Sequence, residues 1–446
     1  MSNHNTYDIK PKHYNSMKRI FSLLFGLLAV CASLQAAKIS GTALASYKIV
    51  YSIGAEEEVG LEAATRLRQA IADATGVELE VIADNANARA REILVGNTRR
   101  KESAAAYKDG FKPFEYKCFV KSGKLVVAAG GCWALDRAGQ RIAETLSKGD
   151  VNASFRLEGT VEGEFLFPRE EGVNLRILDD NVWDYSGKPV PKAWEELGED
   201  CTDSVRGPQF VQLVRAYMPD VIGFQEFSRA MAGLFGSQAS QYGYKETFTP
   251  EGRNDTPIWY NENTVELIET EYVRFEPKRW SNHGSKSFTY ALFRLKENGK
   301  QFALISTHLW WKSEKVLAGS NTARAAQIHQ ILAHAEYLKG TYDCPIFLVG
   351  DMNCNEKSKA IRLLLDAGFT PCYQAATGTT DLHNGHHRCG PQGFGRDGGN
   401  RTREDSIDHC FLWNGGSTEI RHFRCEMAAF TVKITDHYPN IIDVKL

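Results

Sequence analysis

Seven apolar runs in the second half of this chain each meet polar residues at an edge, and that repetition limits the folds open to it. The run "LRILDDNVW" ends in Asn181 and "PDVIGFQEF" in Glu226. "DTPIWYN" carries Tyr260, "QFALISTHLWW" leads to His308, and "PIFLVGDMN" ends in Asp351 and Asn353. "SIDHCFLW" holds Asp408 early, and "TDHYPNIIDVKL" places Asp436 and His437 ahead of a closing run. Short apolar runs bounded in this way read as buried strands. A single Asp or Asn at a strand end is turn chemistry, because both side chains bond nearby backbone and tolerate unusual dihedrals. Seven junctions that also use imidazole are not explained by turns. In α/β proteins, strand ends are where sites form. "GDMNCN" at 350–355 poses the question most sharply: Asp351 and Asn353 suit either a turn or a reaction.

The chain has 446 residues, a length suited to two domains. Hydrophobic residues make up 43% and charged residues 24%, enough apolar material for sizeable cores. A formal charge of -2 gives no global basic field for nucleic acid or an anionic membrane. Residues 1–37 read as an N-terminal extension and signal peptide, with Lys18 and Arg19, an apolar run from Ile20 to Val30, and Ala36 and Ala37. Met17 is the expected start of translation, and export to the periplasm or medium follows. Export permits disulfides among the cysteines. Their scattered spacing, with no CxxC pair, suits buried small hydrophobes better.

Residues 38–165 read as a small α/β accessory domain. "SYKIVYSI", "ELEVIAD" and "REILVGNT" are strands, and "FEYKCFVKSGKLVVAAGG" is a hairpin around "SGK". Leu61, Ala64, Leu67, Ile71 and Ala74 fall on one helical face, and "CWALDRAGQRIAETLSKG" forms a second amphipathic helix. The order of "EILVGNTRR", hairpin and "GCWALDRAGQRIAETL" resembles the small N-terminal domain of α-glucuronidases. "EGEFLFPRE", 162–170, reads as a linker to a second domain over 170–446.

The junction residues suit phosphoester hydrolysis. A hard divalent cation takes oxygen ligands such as carboxylates and an amide carbonyl. Two histidines can stabilise or protonate oxygens around phosphorus, and an Asp with an Asn can hold and activate water. No HExxH, GxSxG or P-loop offers a competing chemistry.

"DDNVW", "PDVIGFQE", "STHL", "GDMN", "SIDHCFL" and "TDHYPN" occur in the order and spacing of the endonuclease/exonuclease/phosphatase superfamily, which residues 170–446 resemble. The resemblance implies a four-layer α/β sandwich of two packed sheets, and Mg²⁺ or Mn²⁺ as cofactor. It implies Glu226 as principal metal ligand, Asn181 beside it and Asp436 opposite. It implies Asp351 as the residue that activates water, Asn353 on a phosphate oxygen, His308 and His437 on the phosphate, and Asp408 orienting His437. Tyr260 matches an aromatic position near the site. Trp310, Arg294 and Arg324 are candidate substrate contacts. Asp180 and Ser406 depart from the family pattern, and Asp180 either adds charge to the site or faces away.

The expected substrate is a phosphoester, and the accessory domain suggests one linked to a glycan. A DNase-like reading is disfavoured by 30 Lys and Arg against 36 Asp and Glu over 170–446. A sphingomyelinase-like reading has only "THLWWKSEKVL" as an apolar loop. A glycan-binding protein that kept the fold without the reaction is the rival from another class. His383, His386 and His387 raise a zinc reading, but their spacing fits no closed site.

Overall fold

The computed structural model describes residues 37–53, 57–184, 201–247, 254–380, 406–426 and 434–446. The leader up to residue 36 and the His-rich stretch at 383–405 lie outside the described residues. No described helix is long and apolar enough to cross a membrane. Two compact units divide between Thr160 and Val161.

The first unit is built on a six-stranded sheet. Its order is Glu80–Ala83, Lys48–Tyr51, Glu92–Val95, Lys124–Ala129, Glu115–Lys121, Arg156–Thr160. The first four strands run parallel and the last two complete an antiparallel edge. Ala64, Leu67 and Ile71 of helix Glu57–Thr75 are buried, as helical spacing predicts. Helix Cys132–Leu146 buries Leu135, Ala138, Ile142 and Leu146. Glu92 is fully buried and bonded to Arg100 and Lys124, so its charge is compensated inside the unit.

The second unit packs two sheets face to face. The seven-stranded sheet runs Tyr244–Glu246, Ile258–Asn261, Val221–Gln225, Leu175–Asn181, Asn440–Lys445, Glu419–Cys425, Gly378–Thr380. The six-stranded sheet runs Val265–Arg274, Ser287–Leu295, Gln301–His308, Ile346–Asp351, Asp408–Trp413, Thr370–Pro371. Ile177, Val221, Ile258 and Ile442 of one sheet meet Phe293, Leu304, Phe347 and Val349 of the other. The sheets approach closely at Gly223, where a Cβ would lie 2.7 Å from Val349 Cγ2. Helices Ser320–Tyr342 and Lys359–Asp366 cover the far face of the six-stranded sheet through Ile328, Ile331, Leu338, Ile361 and Leu364. Helices Asp203–Tyr217 and Arg229–Ala239 cover the other sheet, where Phe210 and Phe235 pack edge-on against Phe224. The result is the four-layer α/β sandwich.

The stretch read as a linker is docked on this second unit. Gly163 N donates to Gln212 Oε1 (2.6 Å), and Leu166 N and Phe167 N donate to Ala216 O (3.0 and 3.1 Å). The Phe167 ring stacks on Tyr217 at 4.2 Å. All eight described cysteines are buried.

Candidate active site

Strand direction brings the junction residues together. Leu175–Asn181 and Val221–Gln225 are parallel, with Asn181 opposite Gln225, so Glu226 follows at the same edge. In the facing sheet His308 lies opposite Asp351, and Asp351 opposite Asp408. Buried Arg206 joins this edge to the segment that carries Asp436 and His437. Its guanidinium donates to Val182 O (2.7 Å), Trp183 O (3.0 Å), Ile434 O (2.8 Å) and Cys201 O (2.8 Å). Two carbonyls just past a strand end, one in the segment before Asp436 and one ahead of the helix are thereby satisfied by one side chain.

Asp351 answers the question of turn or chemistry by doing both. Its Oδ1 accepts from Asn353 N at 2.8 Å, an Asx turn. Its Oδ2 accepts from Asn181 Nδ2 (3.0 Å) and lies 3.3 Å from His308 Nε2 and 4.0 Å from His437 Nε2. Gly350 makes the placement possible. Its φ is +136°, and a Cβ there would sit 2.0 Å from Thr307 O of the neighbouring strand. Glu226 (φ 55°) and Asn353 (φ 52°) also hold left-handed backbone without being glycine, the kind of strain that collects at functional sites.

The charges are arranged in pairs. His437 Nδ1 lies 3.0 and 2.9 Å from the two oxygens of Asp408, which turns Nε2 towards Asp351 and Asp436. Burial opposes a charged ring, but the Asp408 charge and hydrogen bond, with Asp436 and Asp351 behind them, hold the imidazole well above its ordinary value. Burial likewise pushes the Asp351 carboxyl up, yet the His308 bond and the charges of His308, His437 and Lys286 outweigh it and hold the group low. Glu226 is held low against its burial by His308 and Lys286. Asp436 goes the other way: burial, with Glu226 and Asp351 adding to it against His437, pushes its carboxyl up to about 7. Its Oδ1 is buried without a hydrogen-bond partner, although 39% of the side chain remains open.

That donor set fits a divalent cation. Glu226, Asp436 and the Asn181 amide are hard oxygen donors, and Asp436 Oδ1 makes no hydrogen bond, with His437 Nε2 at 3.8 Å. Asp351, Asp408 and His437 also bring ligand atoms within 4.8 Å of one another. Asp408 spends both oxygens on the His437 ring, so this trio orients an imidazole more readily than it holds an ion. Asp180 lies next to Asn181 on the same strand. It is buried with both oxygens unpartnered, and burial, reinforced by Asp179, Asp408 and Asp436 against His437, holds its carboxyl well above the usual range.

Four residues singled out from sequence do not join the cluster. Tyr260 pairs with Val221, at the opposite end of the strand that leads to Glu226, and packs on Phe293. Arg294 pairs with Gln301, seven residues from His308, and bonds Glu266 at 2.7 Å. Arg324 is buried and spent on the carbonyls of Trp310 and Lys312, both at 2.9 Å. Trp310 is buried, its Nε1 bonded to Ser320 Oγ at 3.1 Å; it is the following Trp311 that is exposed. Lys286 was not foreseen. It is buried, with Nζ 3.0 Å from His308 Nδ1 and also in contact with Nε2. The signal for it is "SKSFTYALF", a polar residue before an apolar run like the other junctions, but a lysine there reads as a surface charge. Asn254 and Thr256 join the same edge through Thr289 and Ser287.

The chain resembles solved structures of this architecture at low identity. A mannosyl-6-phosphatase of Bacteroides thetaiotaomicron matches with 16% identity and a TM-score of 0.47, over 61% of this chain and 100% of that one. An endonuclease/exonuclease/phosphatase protein of Bacteroides vulgatus matches with 17% identity and 0.48, over 61% and 98%. The catalytic domain of human Nocturnin matches with 16% identity and 0.43, over 60% and 93%. No curated protein matches the sequence. The family model "Endonuclease/Exonuclease/phosphatase family" matches residues 204–437, more than half of the chain. That span holds Glu226, His308, Asp351, Asp408, Asp436 and His437, and with the two-sheet sandwich it places the chain in the endonuclease/exonuclease/phosphatase family of hydrolases.

Proposed function

We propose that the protein is an exported phosphoesterase that depends on a divalent cation and hydrolyses its substrate by in-line attack of water. The observation that carries this reading is the division of labour within Asp351: Oδ1 fixes the turn, and Oδ2 faces Asn181, His308 and His437. Glu226, Asp436 and the Asn181 carbonyl would hold Mg²⁺ or Mn²⁺, which supplies neutralising charge at the phosphoryl group.

Asp351, kept ionised by its neighbours, accepts a proton from the attacking water as the new P–O bond forms. The bond from phosphorus to the leaving oxygen breaks on the opposite side. His437, held protonated by Asp408, donates from Nε2 to a phosphoryl oxygen, and Lys286, in contact with the His308 ring, adds positive charge beside it. Asn353 is fixed by its own bond from Nδ2 to Leu309 O (3.1 Å), next to the water-activating carboxylate.

The substrate is a small phosphoester, and the acidic balance of the second unit does not favour a long nucleic acid. The test is phosphate or nitrophenol release from mono- and bis-nitrophenyl phosphate, DNA, sphingomyelin and phosphosugars with Mg²⁺ or Mn²⁺. Chelation should abolish turnover and the cation should restore it. Full activity in excess chelator, or none on any substrate, would overturn the reading.

A further inference from the structure

The chain leaves the site at a tryptophan that the fold holds out into solvent. Trp311 is 52% exposed, whereas Trp133, Trp259, Trp310 and Trp413 are buried. Among the described tryptophans only Trp311 is exposed. A single exposed apolar side chain needs no explanation by itself. What needs one is the effort spent on holding this one in place.

The two residues on either side of Trp311 are bracketed by one buried side chain. Arg324 Nη1 donates to Trp310 O and to Lys312 O, both at 2.9 Å. Trp310 N donates to Gln327 Oε1 at 2.9 Å, and the Trp310 ring packs edge-on against Trp280 at 4.9 Å. Farther along, Glu314 accepts from Gly319 N and Asn321 N, both at 2.7 Å, and closes the loop on itself. The indole therefore stands on a preorganised loop, and a ligand that meets it pays little ordering entropy.

The loop begins at the site. Leu309 N donates to Asp351 O (3.0 Å), and Leu309 O accepts from Asn353 Nδ2 (3.1 Å). Trp311 is two residues beyond, at most about 7 Å of extended chain. Lys312 Nζ lies 5.2 Å from the indole centroid, so a cation accompanies the aromatic face.

We propose that Trp311 and Lys312 form a subsite for the organic group of the phosphoester, taking a ring carried on the leaving alcohol by stacking on the indole. This rests on the phosphoesterase reading of the neighbouring cluster. A ring face lined by C–H groups or π electrons is the chemistry that an indole recognises, and a sugar ring and a nucleobase both supply one. Lys312 suits the negative charge that such a substrate carries.

Calorimetric binding to the full-length protein separates the sources. The probes are a hexose 6-phosphate, a nucleoside 5′-monophosphate and the ringless glycerol 3-phosphate, each titrated into wild type, Trp311→Ala and Trp311→Phe. The expected result is a loss of roughly tenfold in affinity for one ring-bearing probe in Trp311→Ala, as for removal of a stacking partner. Trp311→Phe should recover most of it, and glycerol 3-phosphate should bind all three proteins alike. The probe that responds identifies sugar or base. Equal affinity of the ring-bearing probes for wild type and Trp311→Ala, absence of binding included, overturns the subsite. So does an equal loss for the ringless probe. Nitrophenyl phosphate turnover, measured alongside, reports on the phosphoesterase reading: unchanged binding with intact turnover removes the subsite and leaves the hydrolase.

Discussion

Gly350→Ala tests how the chain holds Asp351 in position. The backbone at Gly350 has φ +136°, and an added Cβ would lie 2.0 Å from Thr307 O. Thr307 is its ladder partner, and the next rung pairs His308 with Asp351. A C···O contact relaxes only near about 3.3 Å, so the strands must part locally by roughly 1.3 Å. The Gly-only backbone region costs of order 1–3 kcal/mol for another residue. Forcing a methyl into a filled space costs about 1–3 kcal/mol more. A loss near the middle of that combined range, about 4 kcal/mol, lowers Tm by roughly 8–16 °C in a unit of this size. Because His308 and Asp351 sit on the strands being parted, turnover should fall about 10²-fold even in the folded protein. Thermal unfolding by circular dichroism gives the first number, and initial rates well below the variant's Tm give the second. Gly299→Ala is the control: φ is +75° with nothing within 4 Å of the added Cβ. It should cost about 1–2 kcal/mol and leave turnover intact. A Gly350→Ala protein with wild-type Tm and turnover would refute the reasoning.

Asp408→Asn removes the charge that keeps His437 protonated, so the imidazole should return towards about 6.5 and turnover should suffer more at alkaline than at acid pH. Since His437 is raised on folding, the stability it lends is full below about pH 6.5 and fades as pH climbs through the folded value; the variant's stability deficit, followed by denaturant melts, should shrink with rising pH. Cation binding at Asp436 competes with a proton near 7. Calorimetric Mg²⁺ affinity should therefore weaken about tenfold per pH unit on acidification, and a flat profile would count against Asp436 as a ligand. A chain that begins at Val161 should keep the Tm of the second unit, whereas one that begins at Glu170 loses the Gly163, Leu166 and Phe167 contacts and should melt several degrees lower.

The sequence was most informative where a strand ends in a group that water would otherwise solvate. Asn181, Glu226, His308, Asp351, Asp408, Asp436 and His437 were all legible as junctions; the parallel and antiparallel registers align the first five at strand ends, and His437 joins them through Asp408 and Asp351. Tyr260 belongs to the same pattern but fails, because its strand is antiparallel to Val221–Gln225 and the tyrosine arrives at the other end. Strand direction is a property of pairing, not of local pattern. Trp310 and Trp311 could not be told apart by alternation, since the strand ends at His308 and the loop sets their faces. Arg324 reads as a candidate substrate contact, yet its fork satisfies two loop carbonyls that no local sequence announces. Lys286 was missed for the same reason, a buried cation being rare without carboxylates that only the fold brings near.

The central claim is that Asp351 takes the proton of the attacking water. Asp351→Asn measures it directly, because the amide oxygen can still accept from Asn353 N and preserve the turn. Turnover on the best nitrophenyl phosphate should fall about 10²–10⁴-fold, the usual contribution of a general base, in a protein that still folds and still binds Mg²⁺. An Asp351→Asn protein that turns over its substrates at close to the wild-type rate would return "GDMNCN" to a turn and nothing more.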